Sequence, residues 1–204
     1  MQNAAFVARG LDWAYIALDV EPARLGEAVR GLEACGFAGA NVTAPHKLGV
    51  AAFVETDVPS VNTLLVRDGR AHGLSTDAAI LAGLEAERPV VLGDGGAAHA
   101  FVQALPQARA FARRGHWPPD VQDADLVVNA TSARHTVLVE LSPGQTLVDL
   151  PYPLSATGEA ARAAGARVID GLDVLVAQGA AAFELWTGVP APLEAMRAAV
   201  RSPA

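Results

Sequence analysis

Hydrophobic and polar positions follow two alternating periods along this chain, and together they predict strands and helices in turn. Short apolar runs bounded by Gly, Pro or Asp predict strands, whereas apolar residues that recur every three to four positions predict helices with one buried face. In order, the first half is predicted to contain a helix at 3–10, a strand at 13–20, a helix at 22–34, a strand at 37–40, a helix from Pro45, strands at 61–66 and 70–74, and a helix from Thr76 to about Glu87. The Asp68-Gly69 pair between the last two strands predicts a tight hairpin.

A different pattern begins at Pro89, where a short buried strand runs into a glycine-rich turn and a helix. The later elements are predicted strands at 108–112, 126–129, 146–150 and 168–169, an apolar helix from about Val174 to Trp186, and a short helix from Pro190 to Val200. Such alternation is typical of α/β proteins with mostly parallel sheets. We expect a mostly parallel α/β lobe over residues 1–86 and a second lobe over 87–173, with the closing helices over 174–204 returning to the first lobe.

Composition narrows the class of protein. Hydrophobic residues make up 51% of the 204 and charged residues 18%, which favours a buried core over disorder. No apolar run reaches the roughly 18 residues of a membrane span, and the formal charge of −7 disfavours a nucleic-acid partner. We therefore expect a cytoplasmic protein, monomer or homodimer, that binds a small molecule and has no metal site.

The stretch Asn41 to Lys47, NVTAPHK, carries the first candidate for chemistry. It follows a short apolar strand, and Pro45 is a good first residue for a helix. Lys47 is then expected at the carboxyl end of a strand, the edge at which open α/β sheets bind ligands. A solvated lysine on a surface helix is the alternative.

The glycine-rich turn after the Pro89 strand is typical of a dinucleotide-binding, Rossmann-like lobe. Glycines there let the backbone approach a pyrophosphate, which the N-terminus of the next helix holds through free N–H groups. The glycines of this turn are Gly93, Gly95 and Gly96. Tight packing without a cofactor is the alternative.

Arg113 and Arg114 lie where an NAD site would carry an acid for the ribose 2′-hydroxyl. Two guanidiniums suit a 2′-phosphate instead, so NADP is favoured over NAD, and a solvated arginine pair is the alternative. Asp94 acts against binding, because a carboxylate about 7 Å from a phosphate costs on the order of 0.6–2.4 kcal/mol.

Several sequence blocks, taken in order, resemble one known family. They are NVTAPHK at Asn41, SVNTLL at Ser60, GLSTD at Gly73, VLGDGGAAHA at Val91, NATS at Asn129, VDLPYPL at Val148 and DGLDVLVAQGAAAFELWTG at Asp170. In this order they resemble the shikimate dehydrogenases, NADP-dependent oxidoreductases that reversibly reduce 3-dehydroshikimate to shikimate in aromatic amino acid (chorismate) biosynthesis. The resemblance implies two α/β lobes with the active site in the cleft between them.

The resemblance also implies roles for individual residues. By motif match, Lys47 resembles the catalytic lysine and Asp77 its partner aspartate. Substrate-binding positions are implied at Thr43, Asn62, Tyr152 and Gln178, and cofactor-binding positions at Gly93 to Ala97, Arg113, Leu150 and Gly171. A lysine ammonium suits ketone reduction because it can donate the proton to the developing alkoxide. Taken alone, Asp77 could equally serve a helix dipole.

The chain departs from the family pattern in several places. The family's first strand and a following loop with two serines have no counterpart here, so we expect Met1 to be an internal methionine. Ser75 and Asp173 replace a usual asparagine and a usual glycine, and residues 115–124 are too few for the usual crossover helix. Two alternatives stay open: a catalytically impaired remnant that binds a metabolite or partner, and a paralogue acting on quinate or a similar ring.

Overall fold

The structure is a computed structural model that describes residues 1–201. Its contacts divide the chain into two compact units. Met1–Asp77 and the chain from Val176 onward form the first unit, and Ala78–Leu175 form the second. The contacts place the boundary after Asp77, earlier than the boundary after residue 86 that the sequence suggested. The observed boundary is earlier because Ile80 and Leu81 pack on the apolar core of the second unit.

Helices and strands alternate along most of the described chain. In order, the elements are α1 (Gln2–Ala8), α2 (Leu25–Ala34), β1 (Gly39–Asn41), β2 (Thr63–Arg67), β3 (Arg70–Leu74), β4 (Pro89–Leu92), α3 (Gly96–Ala104), β5 (Arg109–Phe111), β6 (Leu126–Asn129), β7 (Thr146–Asp149), α4 (Ala156–Ala163), β8 (Arg167–Ile169), α5 (Gly171–Thr187) and α6 (Leu193–Arg201). Over residues 1–201, each helix falls short of the length and apolarity that a membrane crossing requires.

The three-stranded sheet of the first unit is antiparallel. β1 pairs with β2, and β2 pairs with β3 across a turn in which Asp68 and Gly69 have φ of 51° and 74°. Positive φ at both central residues suits a two-residue hairpin, which confirms that prediction. The expectation of a mostly parallel first lobe is wrong, because the hairpin sets β3 antiparallel to β2 and β1 pairs antiparallel on the other side.

Two apolar clusters stabilise the first unit. Helix α2 places Leu25, Val29 and Leu32 on one face, at the spacing of successive helical turns, and this face packs with Leu64 of β2. The second cluster joins α1, α5 and α6. Trp186 of α5 reaches the sheet directly, since its indole N–H donates to the carbonyl of Leu64 at 2.8 Å.

The prediction of a strand at 13–20 is wrong. Within the described chain this segment joins no β ladder; instead, the side-chain amide of Asn3 bonds the N–H and the C=O of Tyr15 at 2.6 and 2.9 Å. Ile16 and Leu18 are each 55% exposed. The apolar residues therefore lie in a segment without regular secondary structure, because no neighbouring strand pairs with it.

The prediction of a helix from Pro45 is also wrong, since turns and a bend occupy residues 44–49. The N–H of His46 donates to the carbonyl of Thr43 at 2.9 Å, and the carbonyl of Lys47 accepts from the N–H of Val61 at 2.8 Å. The second bond takes the Lys47 carbonyl away from an intrahelical partner. A tertiary hydrogen bond thus overrides the local preference for helix.

The helix predicted from Thr76 to about Glu87 shortens to a single 3₁₀ turn at Ala79–Leu81. Gly83 follows with φ of 81°, a left-handed conformation that interrupts a right-handed helix. The apolar residues of the segment are instead used for packing in the second unit.

The second unit contains a parallel five-stranded sheet in the order β5-β4-β6-β7-β8. Successive residues of β4 face opposite sides: Val90 and Leu92 join the cluster that contains Ala161 of α4, whereas Val91 joins the cluster that contains Phe101 of α3. Both faces of the sheet are covered, as expected for a parallel sheet. This arrangement confirms the α/β class and the Rossmann-like second lobe.

The connections of this sheet differ in kind. Residues 112–125 contain no helix, as their number predicts, and Val121 and Ala124 cover the sheet there. Helix α4 was not predicted, although its start is marked in the sequence. Ser155 precedes the helix, and its hydroxyl accepts from the N–H of Gly158 at 3.2 Å, which is a serine N-cap.

Gly39 offers a test of the contact between β1, β2 and α5. A Cβ added there would overlap the Leu64 carbonyl oxygen and the Trp186 indole nitrogen. We expect Gly39→Ala to lower the free energy of unfolding by about 1–3 kcal/mol, because this overlap forces the sheet or the tryptophan to move. Urea unfolding measures the change.

Gly31 of α2 is the matched control, because an added Cβ there meets nothing within 4 Å. Gly31→Ala is expected to leave stability unchanged or to raise it by up to about 1 kcal/mol. Equal unfolding midpoints for the two variants would contradict the packing described for Gly39.

Candidate active site

Lys47 is the only lysine in the chain, and it lies in the turn after β1. The hydrogen bond from Val61 to its carbonyl anchors this turn beside the start of β2. The Lys47 side chain is 19% exposed, so most of its surface is covered by protein. The turn therefore directs the charge toward a polar cluster of the first unit.

Asp77 is the partner of Lys47. The Lys47 Nζ atom lies 2.7 Å from each carboxylate oxygen of Asp77, whose side chain is 9% exposed. A pair with so little solvent around it is held more firmly than an exposed ion pair, because charge-assisted bonds strengthen as the surroundings become less polar.

Asn62 joins this pair to the rest of the cluster. Its Nδ2 atom lies 2.9 Å from Asp77 Oδ1, 2.9 Å from Gln178 Oε1 and 3.1 Å from Thr76 Oγ1. Its Oδ1 atom accepts from the backbone N–H of Thr76 at 2.7 Å and from the Thr63 hydroxyl at 3.1 Å. Because a backbone N–H can only donate, the amide oxygen must face Thr76 and the NH₂ must face Asp77.

The cluster extends away from Lys47 through residues that the sequence reasoning did not assign to the site. Asn41 Nδ2 lies 3.3 Å from Thr63 Oγ1, and the phenol of Tyr15 donates to Asn41 Oδ1 at 3.0 Å. Burial raises the pKa of Tyr15 above its usual value, and a backbone hydrogen bond at Asn41 lowers it by less. The phenol therefore stays protonated, and able to donate, around neutral pH.

Thr43 and Tyr152 are not part of this cluster. Thr43 lies between β1 and Lys47 with an exposed side chain, and its carbonyl accepts from the N–H of His46. Tyr152 belongs to the second unit, is 54% exposed, and its carbonyl accepts from Arg134 at 2.7 Å. The structure thus brings together Lys47, Asp77, Asn62 and Gln178 among the predicted catalytic and substrate-binding residues.

The arrangement can move a proton. A lysine held by one carboxylate, with its remaining N–H bond directed elsewhere, can donate a proton to an oxygen and recover it in the reverse direction. The neighbouring amides supply fixed donors and acceptors of the kind that select hydroxyl groups.

The second unit places the predicted cofactor residues along the carboxyl edge of its parallel sheet. Gly93 follows β4, Leu150 follows β7, and Gly171 is the first residue of α5 after β8. Gly95 is the N-cap of α3 and Gly96 its first residue. The carboxyl edge is where open parallel sheets bind ligands, and the first N–H groups of α3 point toward it.

Close backbone contacts explain two of these glycines. At Gly93, φ is 124° and an added Cβ would lie 2.9 Å from the carbonyl oxygen of Ala130. At Gly171, it would overlap the Leu150 carbonyl. Gly95 differs, since an added Cβ there meets nothing within 4 Å, which leaves open space at the start of α3.

Arg113 and Arg114 follow β5 and are exposed. The Arg113 guanidinium carbon lies 5.8 Å from the ring centroid of Trp117, within cation–π range, so the tryptophan limits where this charge can move. Asp94 is exposed beside the glycines. The sequence reasoning missed Trp117, whose position four residues after an arginine is not by itself a strong indication.

A buried polar pair fixes the strand ends next to this edge. Asn129 Nδ2 donates to Asp149 Oδ1 at 2.7 Å, and the backbone N–H and hydroxyl of Ser155 donate to the same carboxylate at 2.8 and 2.9 Å. Asn129, Asp149 and Ser155 are all 0% exposed. The carboxylate is thereby satisfied without a cation, and it holds the chain after β7 against the end of β6.

Comparison with known proteins gives the family. Residues 1–64 match the shikimate dehydrogenase substrate binding domain, and residues 171–201 match the shikimate 5′-dehydrogenase C-terminal domain. The chain is 38% identical to a shikimate dehydrogenase (NADP(+)) of Moorella thermoacetica, over 98% of this chain and 87% of that protein. It is 37% identical to one of Anaeromyxobacter, over 100% of this chain and 90% of the relative.

A solved structure agrees with these relatives. The shikimate 5-dehydrogenase of Thermus thermophilus, in complex with NADP(H) and shikimate, superposes with a TM-score of 0.85 at 29% identity, covering 98% of this chain and 92% of that one. The chain belongs to the shikimate dehydrogenase family. The Moorella alignment runs over 256 positions against 204 residues here, so that relative carries segments with no counterpart in this chain.

Asn62 also offers a stability test that does not depend on activity. In Asn62→Asp, a second carboxylate would lie against Asp77 at a position that is 1% exposed. We expect a loss of about 3–5 kcal/mol at pH 7, because the introduced charge is buried without a cation of its own. Thermal unfolding from pH 7 down to pH 3 measures it.

The direction of the pH dependence follows from the introduced group. Burial and the Asp77 charge raise its pKa in the folded state, so the loss is complete above that pKa and shrinks as the pH falls through it. Gln103→Glu adds one charge at an exposed site and serves as the control. A loss that is the same at pH 3 and pH 7 would contradict the burial of this position against the Asp77 carboxylate.

Proposed function

We propose that this chain catalyses the NADP-dependent, reversible reduction of 3-dehydroshikimate to shikimate. The observation that carries the proposal is the Lys47–Asp77 pair, tied through Asn62 to Gln178 in one hydrogen-bonded group. The substrate and cofactor are those in the names of its relatives and of the Thermus complex.

Lys47 handles the proton of this reaction. When bound, NADPH supplies a hydride to the carbonyl carbon and becomes NADP⁺. The Lys47 ammonium donates a proton to the carbonyl oxygen as the C=O π bond breaks, and the neutral amine takes it back in shikimate oxidation. Asp77 contacts Nζ with both oxygens and so orients the remaining N–H bond.

Gln178 and Asn62 prepare the polar surroundings for a hydroxylated ring. Gln178 Oε1 accepts from Asn62 at 2.9 Å, and the Gln178 NH₂ is proposed to donate to a substrate hydroxyl. Thr43, whose side chain is exposed in the same unit, is a further donor for the ring. The substrate-binding role of Tyr152, which belongs to the second unit, remains a prediction from the family resemblance. A site with paired polar groups discriminates strongly against analogues that lack a hydroxyl.

The second unit fits a dinucleotide. The open space at Gly95 lets a pyrophosphate approach the free N–H groups at the start of α3, and the positive φ of Gly93 permits the turn that exposes them. Arg113, steadied by Trp117, would hold the 2′-phosphate that distinguishes NADP from NAD. Gly96, Ala97, Arg114, Leu150 and Gly171 complete the proposed surface, and Asp94 weakens it by charge repulsion.

NADP⁺-linked oxidation of shikimate tests the reaction. Lys47→Met and Asp77→Asn are expected to lower kcat about 10²- to 10⁴-fold, because the proton acceptor is removed or left unoriented. Arg30→Gln, which removes one positive charge from an exposed part of α2, is expected to leave kcat unchanged. A folded wild-type protein that binds shikimate without oxidising it would show that the chain is an impaired remnant.

Cofactor choice is tested separately at Arg113. Arg113→Ala is expected to raise the KM for NADP⁺ about 10- to 100-fold, the worth of one charge-assisted hydrogen bond, and to leave the KM for NAD⁺ within a factor of about two. Arg162→Ala, exposed on α4, is the control. An equal change for both cofactors would contradict a contact with the 2′-phosphate.

A further inference from the structure

Thr63 is the first residue of β2, and its side chain is 0% exposed. The hydroxyl has three polar neighbours: Asn62 Oδ1 at 3.1 Å, Thr76 Oγ1 at 3.1 Å and Asn41 Nδ2 at 3.3 Å. A hydroxyl is costly to bury unless it is bonded, and a valine of similar shape would fill the same space. The position therefore supplies hydrogen bonds that packing alone does not require.

Asn41 determines which way the Thr63 hydroxyl points. Its NH₂ donates to Thr63 Oγ1 at 3.3 Å and to the Asn62 carbonyl at 3.4 Å, while its own oxygen accepts from Tyr15 at 3.0 Å. Because the backbone carbonyl of Asn62 can only accept, the amide nitrogen of Asn41 faces Asn62 and Thr63, and its oxygen is left to accept from Tyr15. The threonine hydroxyl accepts from Asn41 and donates to Asn62 Oδ1 at 3.1 Å, and in its contact with Thr76 Oγ1 either hydroxyl can be the donor.

We propose that Thr63 and Asn41 are positioning residues of the active site, holding the Asn62 amide with its NH₂ toward Asp77 and Gln178. A reversed amide would set its oxygen against Asp77 Oδ1 and Gln178 Oε1. The N–H and, at 3.3 Å, the hydroxyl of Thr76 favour the same orientation from one side, and the Thr63 hydroxyl adds a closer side-chain donor, at 3.1 Å, from the strand itself. The effect on turnover rests on the proposed function.

The influence reaches Lys47 through two side chains. Asn62 donates to Asp77 Oδ1, and the same oxygen lies 2.7 Å from Lys47 Nζ. If the Asn62 amide is displaced, the Asp77 carboxylate loses a donor that fixes its position. The directions of the Lys47 N–H bonds are then no longer fixed. Since Lys47 acts in the chemical step, loss of this support lowers kcat more than it changes the KM for shikimate.

The first experiment compares two substitutions of Thr63. Thr63→Val is expected to lower kcat for shikimate oxidation about tenfold while the KM for shikimate stays within about threefold. Thr63→Ser keeps the hydroxyl and is expected to restore kcat to within about threefold of wild type. An unchanged kcat in Thr63→Val, or an equal loss in Thr63→Ser, overturns the proposal.

Thr56→Val is the matched control. It removes a hydroxyl that donates to the Gly73 carbonyl at 2.8 Å in the same unit but outside the cluster. Comparable losses of thermal stability are expected for Thr56→Val and Thr63→Val, with kcat lowered only in the second. A similar fall of kcat in both overturns the proposal, because it would reflect stability alone.

A double-mutant cycle tests the route. In an Asn62→Ala background, Thr63→Val is expected to cause no further fall in kcat, because the residue through which it acts is gone. Losses that multiply in the double variant overturn the proposal, since they would mean that Thr63 acts independently of Asn62.

The single lysine allows the positioning role to be measured without turnover. In protein labelled with ¹³C-lysine, one Cε signal reports on Lys47, and Asp77→Asn gives the signal of the broken pair. The signal of Thr63→Val is expected to move toward that reference, and that of Thr63→Ser to stay at the wild-type position. If wild type oxidises no shikimate, the proposed function fails but this signal still decides: movement supports positioning, and an unmoved signal overturns it.

Discussion

The amide of Asn62 is the point at which distant segments of the first unit meet. It bonds Asp77 in the segment after β3 and Gln178 in α5, while Asn62 itself immediately precedes β2. A planar amide has fixed donor and acceptor directions, so occupying both ends fixes its orientation, and its burial makes any broken bond costly. The geometry of Lys47 follows from this constraint, because the carboxylate that holds its ammonium is itself held by the same amide.

The second unit depends on a different constraint, the close approach of backbone to backbone. Gly93 and Gly171 lie where an added Cβ would meet the carbonyls of Ala130 and Leu150, while the Asn129–Asp149 pair ties adjacent strand ends together. Together they bring backbone close to backbone along one edge of the sheet. Glycines at such an edge let a phosphate approach the N–H groups, and the exposed side chain of Asp94 is the charge that opposes it.

Sequence reasoning failed mainly around the polar cluster of the first unit. The segment at 13–20 is a short apolar run of the kind that predicts a strand, yet no neighbouring strand pairs with it in the described chain, and its backbone is bonded instead by Asn3. The segment around Lys47 was expected to be helical, yet the Lys47 carbonyl accepts from the N–H of Val61 instead of from an N–H of the same segment. Both failures have one cause: local patterns describe which conformations suit a segment, whereas long-range hydrogen bonds decide which of them forms.

The sequence by itself determined the α/β class, the Asp68-Gly69 hairpin and the strands of the parallel sheet, and its family resemblance marked Lys47, Asp77, Asn62 and Gln178 as candidates. Periodicity, turn residues and ordered motifs carry that information because they depend on near neighbours in the chain. Only the tertiary structure decided that a chain of hydrogen bonds runs from Asn62 through Thr63 and Asn41 to Tyr15. It also decided that the Arg113 guanidinium lies over the ring of Trp117. These side-chain contacts depend on how the folded backbone directs each side chain, and the local sequence pattern carries no mark of that direction.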